Sequence, residues 1–231
     1  MFYLIRIIEG RRGLKTHYEA VIFDMDGTLL DTLEDIGDTS NRVLQKRNYP
    51  QHPIEDYKNY VGNGARKLIE DILPDNARIE STIQQCLQDF LTEYEKSWNV
   101  KTQLYDGIAE MLDGLEKNDI NLSILSNKPD SFAKAFASEY LNDWTFSHVL
   151  GNCDLFPRKP DPAGALYISK QIDISPEKIL YVGDTLTDMK TAVGATMKPV
   201  GVLWGFRTRQ ELVDNGAQIL LNTPTELLNY L

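Results

Sequence analysis

The amino-acid sequence predicts an α/β fold with a parallel sheet core, helices on both faces of the sheet and an inserted all-helical cap domain. Short apolar runs alternate along the chain with helical periodicities, as expected of parallel strands joined by helical crossovers. The runs are continuously apolar, which is typical of strands buried on both faces. One long region after the first strand shows helical patterns only.

The strands of the core are predicted from the apolar runs. Four runs indicate buried strands, a fifth run is weaker, and a sixth is marginal. Between them, apolar residues recur three or four positions apart, which favours helices near residues 108–115, 132–140 and 166–172. The predicted strands are residues 20–23, 122–125, 179–182 and 200–203, with 218–221 as the weaker run and 147–150 as the marginal one.

The cap is predicted over residues 35–101. Residues 65–73 carry one apolar stripe, which Pro74 ends, and residues 79–98 carry a second stripe. A block of this size can bury a small core of its own, which favours a cap over an ordinary long crossover. The α/β core is therefore predicted at residues 17–34 and 102–231, and residues 1–16 are interpreted as an N-terminal leader.

The net charge and the cysteine content of the chain limit which binding partners and which cellular compartment are expected. The 231 residues include 24 Lys plus Arg against 34 Asp plus Glu, which gives a formal net charge of −10. Because nucleic acids and anionic membranes attract positive surfaces, neither is an expected partner. Two cysteines without a paired spacing favour the reducing cytoplasm. The sequence leaves monomer and dimer both open.

Polar side chains follow three of the predicted strands. The carboxyl ends of parallel strands meet at one edge, where open α/β sheets bind ligands. Crowded carboxylates at that edge repel one another unless a cation lies among them. Oxygen donors without histidine or cysteine indicate Mg²⁺ rather than zinc or copper. The residues are Asp24, Asp26, Gly27 and Thr28 after the first strand, Ser126 and Asn127 after the second, and Asp184, Thr185 and Asp188 after the third.

Lys159 is the candidate for a fixed positive charge, because prolines on both sides stiffen its loop. Taken in chain order, four motifs resemble those of the haloacid dehalogenase-like hydrolases: residues 24–28 (DMDGT), Ser126-Asn127, Lys159-Pro160 and residues 183–188 (GDTLTD). The resemblance runs from about Tyr18 to the end of the chain and implies a Rossmann-like core. The helical insertion and the segments 61–66 and 202–207 are similar to the phosphoglycolate phosphatase-like group.

The resemblance implies a role for each core residue. Asp24 is the expected nucleophile, and Asp26 is the expected proton donor and base, a residue that dehalogenases of the family lack. Ser126 and Lys159 are expected to hold the phosphoryl oxygens. Gly27, Thr28 and Asn127, from the same motifs, are expected to bind substrate. The implied Mg²⁺ site consists of Asp24, the backbone carbonyl of Asp26, and Asp184, with Asp188 in support.

Two cap residues are candidates for substrate recognition. Asn63 is interpreted as the N-cap of the helix near Gly64, whose free N–H groups favour anions. Arg66, in the first turn, is a candidate partner for a substrate carboxylate. The alternative, that Gly62 and Gly64 only make a turn and Arg66 lies on the surface, fits the sequence equally well.

The functional prediction is a magnesium-dependent phosphatase for a small phosphorylated metabolite. The favoured reaction converts 2-phosphoglycolate to glycolate and phosphate through an aspartyl-phosphate. Inorganic pyrophosphatase and broad-specificity sugar or nucleotide phosphatase are alternatives. A phosphosugar mutase and a degenerate, purely binding member of the family are less favoured. Asp26 supports hydrolysis because cleavage of a phosphate ester needs a proton-transfer group.

Overall fold

The computed structural model describes residues 18–231, so the predicted leader at residues 1–16 lies outside the described residues. The strands are β1 (Ala20–Phe23), β2 (Leu30–Asp31), β3 (Gln103–Leu104), β4 (Asn121–Pro129), β5 (Phe146–Asn152), β6 (Ile179–Gly183), β7 (Lys198–Val202) and β8 (Ile219–Leu221). Strands β2 and β3 form a separate antiparallel pair, and the other six form an all-parallel sheet in the order β5-β4-β1-β6-β7-β8. The predicted α/β fold is confirmed.

Side chains of β1 alternate between two hydrophobic clusters, one on each face of the sheet. Val21 and Phe23 pack in one cluster, and Ala20 and Ile22 pack in the other. Because every residue of this strand is buried, helices cover both faces, as the continuous apolar run predicts. The core helices are α4 (Ile108–Lys117), α5 (Asp130–Tyr140), α6 (Ala163–Gln171), α7 (Leu186–Gly194) and α8 (Arg209–Asp214).

The cap lies between β2 and β3 in the chain and contains three α-helices. They are α1 (Leu33–Lys46), α2 (Ala65–Ile72) and α3 (Glu80–Tyr94). The β2–β3 pair joins the two ends of the insertion. Asp35 fastens the same junction, because its buried carboxylate accepts hydrogen bonds from the backbone N–H groups of Val100, Lys101 and Thr102. The insertion begins with α1, directly after β2, and the exact boundaries at 35 and 101 stay a prediction.

The topology brings three strand ends together. Strand β1 lies between β4 and β6, and all three run parallel. The residues that follow β1 and β6 therefore face those at the end of β4 at one edge of the sheet, beneath the cap. None of the helices formed by residues 18–231 has the length and apolar character that crossing a membrane needs.

Candidate active site

The turn after β1 places Asp24 and Asp26. The backbone N–H of Asp24 donates to the Val182 carbonyl on β6, which holds the end of β1 against that strand. Gly27 then reverses the chain with a φ of +79°, and its N–H donates to the Leu30 carbonyl. A Cβ at this position would overlap the carboxylate of Asp184, so the turn requires glycine.

Lys159 joins the motifs that follow β1 and β6. Its side chain is 1% exposed, and Nζ lies 2.8 Å from Asp24 Oδ1 and 2.7 Å from Asp188 Oδ1. Burial by itself lowers the pKa of a lysine, but Asp188 and Asp24 raise the pKa of Lys159 well above its ordinary value. Lys159 is therefore a permanent positive charge at the edge of the sheet.

Three buried carboxylates form the candidate metal centre. Asp24, Asp184 and Asp188 each offer one oxygen, and these oxygens lie within 4.8 Å of one another. Burial raises the pKa of Asp24 to about 7, an effect that Lys159 opposes and Asp188 reinforces. Burial also raises the pKa of Asp184 well above its ordinary value, and the charges of Asp188 and Asp24 add to the effect. The single positive charge of Lys159 does not balance the three carboxylates, so the cluster fits a further cation.

The donor atoms at this centre suit a hard cation. All three ligand candidates are carboxylates, which favours Mg²⁺ over softer metals. Two hydrogen bonds orient the Asp184 carboxylate, one to each oxygen. Thr28 Oγ1 donates to Oδ1 over 3.0 Å, and the Phe206 N–H donates to Oδ2 over 2.8 Å. Asp188 bonds Lys159 through Oδ1, while its Oδ2 accepts from the N–H and hydroxyl of Thr185. Both carboxylate oxygens of Asp188 thus already accept hydrogen bonds within the protein, which suits a residue that supports the metal site.

Strand β4 delivers Ser126 and Asn127 to the same edge. Ser126 is buried, lies beside Asp24 and Asp26 in the lining of a cavity, and its hydroxyl accepts a hydrogen bond from the Lys128 N–H. The side-chain amide of Asn127 donates to the carbonyls of Gly62 and Lys159 over 2.9 and 3.0 Å. Asn127 therefore connects the cap to the Lys159 loop, besides lining the cavity.

Lys128 follows Ser126 and Asn127 in the sequence, and it is a functional candidate to which the sequence analysis gave no role. It is buried in β4, and its ammonium donates to Asp26 Oδ1 over 2.9 Å and to Tyr94 Oη over 3.0 Å. Burial by itself lowers its pKa, but the Asp26 carboxylate and the Tyr94 hydroxyl raise the pKa of Lys128 above its ordinary value. The available signal was its position: it directly follows Ser126-Asn127 and precedes Pro129, within a strand of otherwise apolar and small polar residues.

A cavity of about 50 Å³ lies between the core and the cap. Asp24, Asp26 and Ser126 line it from the core, together with Lys128. The cap side is largely apolar and comes from α1, α2, α3 and the loop before α2. Its lining residues there are Ile36, Val61, Gly62, Gly64, Ala65, Leu68, Phe90, Leu91 and Tyr94. The carboxylates of Asp24 and Asp26 therefore face a small compartment that the cap covers.

Four residues predicted to bind substrate are not among those that line this cavity: Gly27, Thr28, Asn63 and Arg66. The N–H of Gly27 is used inside its own turn, and the hydroxyl of Thr28 is bonded to Asp184. Arg66 lies away from the cavity lining, because its guanidinium forms a two-pronged pair with Glu80 at the start of α3. The structure therefore supports the surface alternative for Arg66. Asn63 lies in the loop just before α2 and is likewise not among the residues that line the cavity.

The N-cap position of α2 is Gly64, and the interpretation of Asn63 as the N-cap is wrong. Gly64 has a φ of +84°, and a Cβ there would lie 3.3 Å from the Asn127 carbonyl oxygen of the core. Close approach of the cap loop to the core thus selects glycine at this position. Asn63 instead offers its backbone carbonyl to Arg158, and Arg207 donates to the carbonyl of Val61 in the same loop.

Comparison with known proteins agrees with this geometry. The family model described as haloacid dehalogenase-like hydrolase matches residues 21–202. The chain belongs to the haloacid dehalogenase-like hydrolases. This family assignment confirms the resemblance inferred from the four motifs, and the match spans all of them.

Two relatives at about 30% identity are named for the same activity. The phosphoglycolate phosphatase of Colwellia psychrerythraea is 31% identical over 215 residues, covering 91% of this chain and 95% of the relative. That of Psychrobacter arcticus is 30% identical over 200 residues, covering 84% and 87%. A haloacid dehalogenase-like hydrolase from Streptococcus pneumoniae shares the fold, with a TM-score of 0.84 at 21% identity over 93% of this chain and 99% of that chain.

Proposed function

We propose that this haloacid dehalogenase-like hydrolase is a magnesium-dependent phosphatase that cleaves 2-phosphoglycolate to glycolate and phosphate. The phosphatase class follows from the family and its named relatives. The metal and the substrate are the proposal. The single observation that carries the chemistry is the buried Lys159 ammonium between Asp24 and Asp188, beside the carboxylate of Asp184.

In the proposed first half-reaction, the Asp24 carboxylate attacks phosphorus and the bond to the ester oxygen breaks. Asp26 donates its proton to the leaving oxygen, so that an alcohol departs rather than an alkoxide. The product on the enzyme is an aspartyl-phosphate at Asp24, which divides one difficult displacement into two. Ser126 and Lys159 hold the phosphoryl oxygens, and Lys159 offsets the charge that develops on them.

In the second half-reaction, water attacks the phosphorus of the aspartyl-phosphate. The Asp26 carboxylate takes the proton of that water, phosphate leaves, and Asp24 returns as a free carboxylate. Asp24, the backbone carbonyl of Asp26 and Asp184 would hold a bound Mg²⁺, which would supply positive charge to neutralise the phosphate oxygens. The apolar cap residues exclude bulk water, so the reacting charges interact in a medium of low polarity.

Two features support a small, carboxylated substrate. The cavity, of about 50 Å³, is small, which favours a compact ester over a bulky sugar or nucleotide phosphate. Its lining includes Lys128, whose ammonium lies 2.9 Å from Asp26 Oδ1, and the proposal puts the organic part of the ester beside this pair. The carboxylate of 2-phosphoglycolate fits this cation better than the neutral hydroxyls of a sugar do.

The cytoplasm is the proposed compartment. Cys86 and Cys153 are both free thiols in the structure. Thiols stay reduced in the cytoplasm, which suits a chain that contains two unpaired cysteines. The small phosphorylated metabolites proposed as substrates belong to the same compartment.

The experiment that tests the function is phosphate release from a panel of substrates with Mg²⁺. We expect the highest kcat/KM for 2-phosphoglycolate, lower values for sugar phosphates, and little release from pyrophosphate. Excess chelator is expected to stop turnover, and Asp184→Ala to weaken Mg²⁺ binding far more than Asp113→Ala, whose carboxylate accepts from Trp144 at the surface. Full turnover in chelator would refute the metal, and a preference for pyrophosphate would refute the substrate.

A further inference from the structure

The ammonium of Lys128 is held on three sides. It lies 2.9 and 3.2 Å from the two carboxylate oxygens of Asp26 and donates to Tyr94 Oη over 3.0 Å. The ring of Phe136 lies beneath it, with 4.3 Å between Nζ and the ring centroid. An ammonium has three donors and its stem has four rotatable bonds, so one contact alone does not fix its place.

Lys128 is in turn the side chain that holds Asp26. Within residues 18–231, it alone donates hydrogen bonds to the Asp26 carboxylate. The position of the proposed acid and base therefore depends on where the Lys128 ammonium lies. A general acid must reach the oxygen that receives its proton at hydrogen-bond distance, so its orientation directly affects the rate.

Tyr94 brings a cap residue into this arrangement. It is the last residue of α3, it is 2% exposed, and its ring stacks on Phe90 of the same helix at 5.2 Å. On the core side its ring packs against Phe132 of α5 at 5.1 Å. The hydroxyl is thus carried by the cap but fixed by aromatic packing against the core.

We propose that Tyr94 and Lys128 are positioning residues that orient the Asp26 carboxylate toward the leaving oxygen, so that the acid and base of the reaction is complete only with the cap in place. The inference rests on the proposed function, in which Asp26 transfers the protons. Tyr94 acts through Lys128, and Lys128 acts through Asp26. The cap in this way contributes to proton transfer without supplying the proton.

The test separates proton transfer from general damage by using two phosphate monoesters that carry no carboxylate and differ in their leaving groups. Rapid-quench measurements follow phosphoenzyme formation from ethyl phosphate, whose leaving oxygen needs a proton, and from p-nitrophenyl phosphate, whose leaving group needs little. We expect Tyr94→Phe to slow formation from ethyl phosphate about 3- to 10-fold, the worth of one hydrogen bond. Lys128→Met is expected to slow it about 10- to 100-fold, which is less than the roughly 10²- to 10⁴-fold loss of the whole general acid because Asp26 itself remains. Formation from p-nitrophenyl phosphate is expected to slow by a clearly smaller factor than formation from ethyl phosphate in both variants.

Two further variants sharpen the comparison. Because the two residues act in series, adding Tyr94→Phe to Lys128→Met is expected to cause no further loss. Tyr140→Phe is the matched control, since Tyr140 lies 5.9 Å from Phe136 in the same aromatic group but forms no contact with Lys128. Neither ester is expected to react more slowly with that variant.

The outcomes that overturn the inference differ from those that overturn the function. Variants that slow both esters equally, or a Tyr94→Phe enzyme as fast as wild type on ethyl phosphate, refute the positioning role alone. A wild-type enzyme that forms no phosphoenzyme from either ester refutes the proposed function and the inference with it. A change confined to the KM for 2-phosphoglycolate shows that Lys128 only binds the substrate carboxylate, which also refutes the inference.

Discussion

Thr28 and Asp184 are joined by a 3.0 Å hydrogen bond between the hydroxyl of Thr28 and Oδ1 of Asp184, although 156 positions separate them in the chain. Both side chains are fully buried. The bond links the turn after β1 to the end of β6 and orients a carboxylate of the candidate metal centre. Groups that orient a metal ligand in this way contribute strongly to metal affinity.

Thr28→Val is expected to weaken Mg²⁺ binding about 10-fold, because it preserves the shape of the side chain and removes only the hydroxyl that orients Asp184. Isothermal titration with Mg²⁺ measures the effect. Thr191→Val is the control, since Thr191 is equally buried but its hydroxyl donates to the Thr187 carbonyl within α7. Equal Mg²⁺ affinities for wild type and Thr28→Val would contradict the role given to Thr28.

Stability should depend on pH and on Mg²⁺ together. The pKa of Asp24 is 3.8 ordinarily and about 7 in the fold, so the folded state binds more protons between these values. The contribution of Asp24 to the free energy of unfolding therefore falls as the pH rises from about 4 to about 7. Mg²⁺ binds the ionised carboxylates, so we expect MgCl₂ to raise the Tm more at pH 8 than at pH 5.

Thermal melts with and without MgCl₂ at the two pH values check this expectation. Asp24→Asn is the control, since it removes the titrating group and should reduce the difference between the two pH values. An equal rise in Tm at pH 5 and pH 8 would show that Mg²⁺ binds elsewhere or that Asp24 is already ionised at pH 5.

Arg66→Ala is expected to leave the KM for 2-phosphoglycolate within about 2-fold of wild type. The guanidinium is paired with Glu80, and the Arg66 side chain is 40% exposed; ion pairs with this much solvent access contribute little. Steady-state kinetics on 2-phosphoglycolate and p-nitrophenyl phosphate provide the measurement. If the Michaelis constant for 2-phosphoglycolate alone rose by about 10-fold or more, which corresponds to about 1.4 kcal/mol, Arg66 would have to leave Glu80 and turn into the cavity when substrate binds.

The two aspartates after β1 should fail in different ways. Asp24→Asn is expected to form no phosphoenzyme, because the nucleophile is lost. Asp26→Ala should still be phosphorylated by p-nitrophenyl phosphate, whose leaving group needs little protonation, while breakdown slows about 10²- to 10⁴-fold for lack of a base. Rapid mixing is then expected to show a burst of nitrophenol approaching one per active site. A phosphoenzyme mapped to a residue other than Asp24 would refute the mechanism.

The parts of this fold that follow from regular repetition were open to prediction from the sequence. Continuous apolar runs identify β1 and its neighbours because strands buried on both faces can hardly contain anything else. The meeting of Asp24, Ser126 and Asp184 at one edge follows from parallel strand order. The short pair β2–β3 was missed because two-residue strands carry no periodicity.

The parts that depend on how the cap lies over the core could not be predicted. The contact of Lys128 with Tyr94 joins a core strand to a cap helix, and no local pattern encodes that distance. The position of Arg66 could not be predicted for the same reason, because its pairing with Glu80 depends on the packing of α2 against α3. Asn63 was misplaced because the close approach of residue 64 to the core, which requires glycine, is a tertiary property.

The loop before α2 is held to the core through its main chain. Asn127, Arg158 and Arg207 donate to the carbonyls of Gly62, Asn63 and Val61. A carbonyl oxygen is present whatever the side chain, so these three bonds place few demands on the identity of residues 61 and 63. Substitutions can therefore change the apolar residues that line the cavity while the hydrogen bonds that hold the cap loop to the core stay the same. New substrate preferences can arise in this way without any change in how the loop is attached.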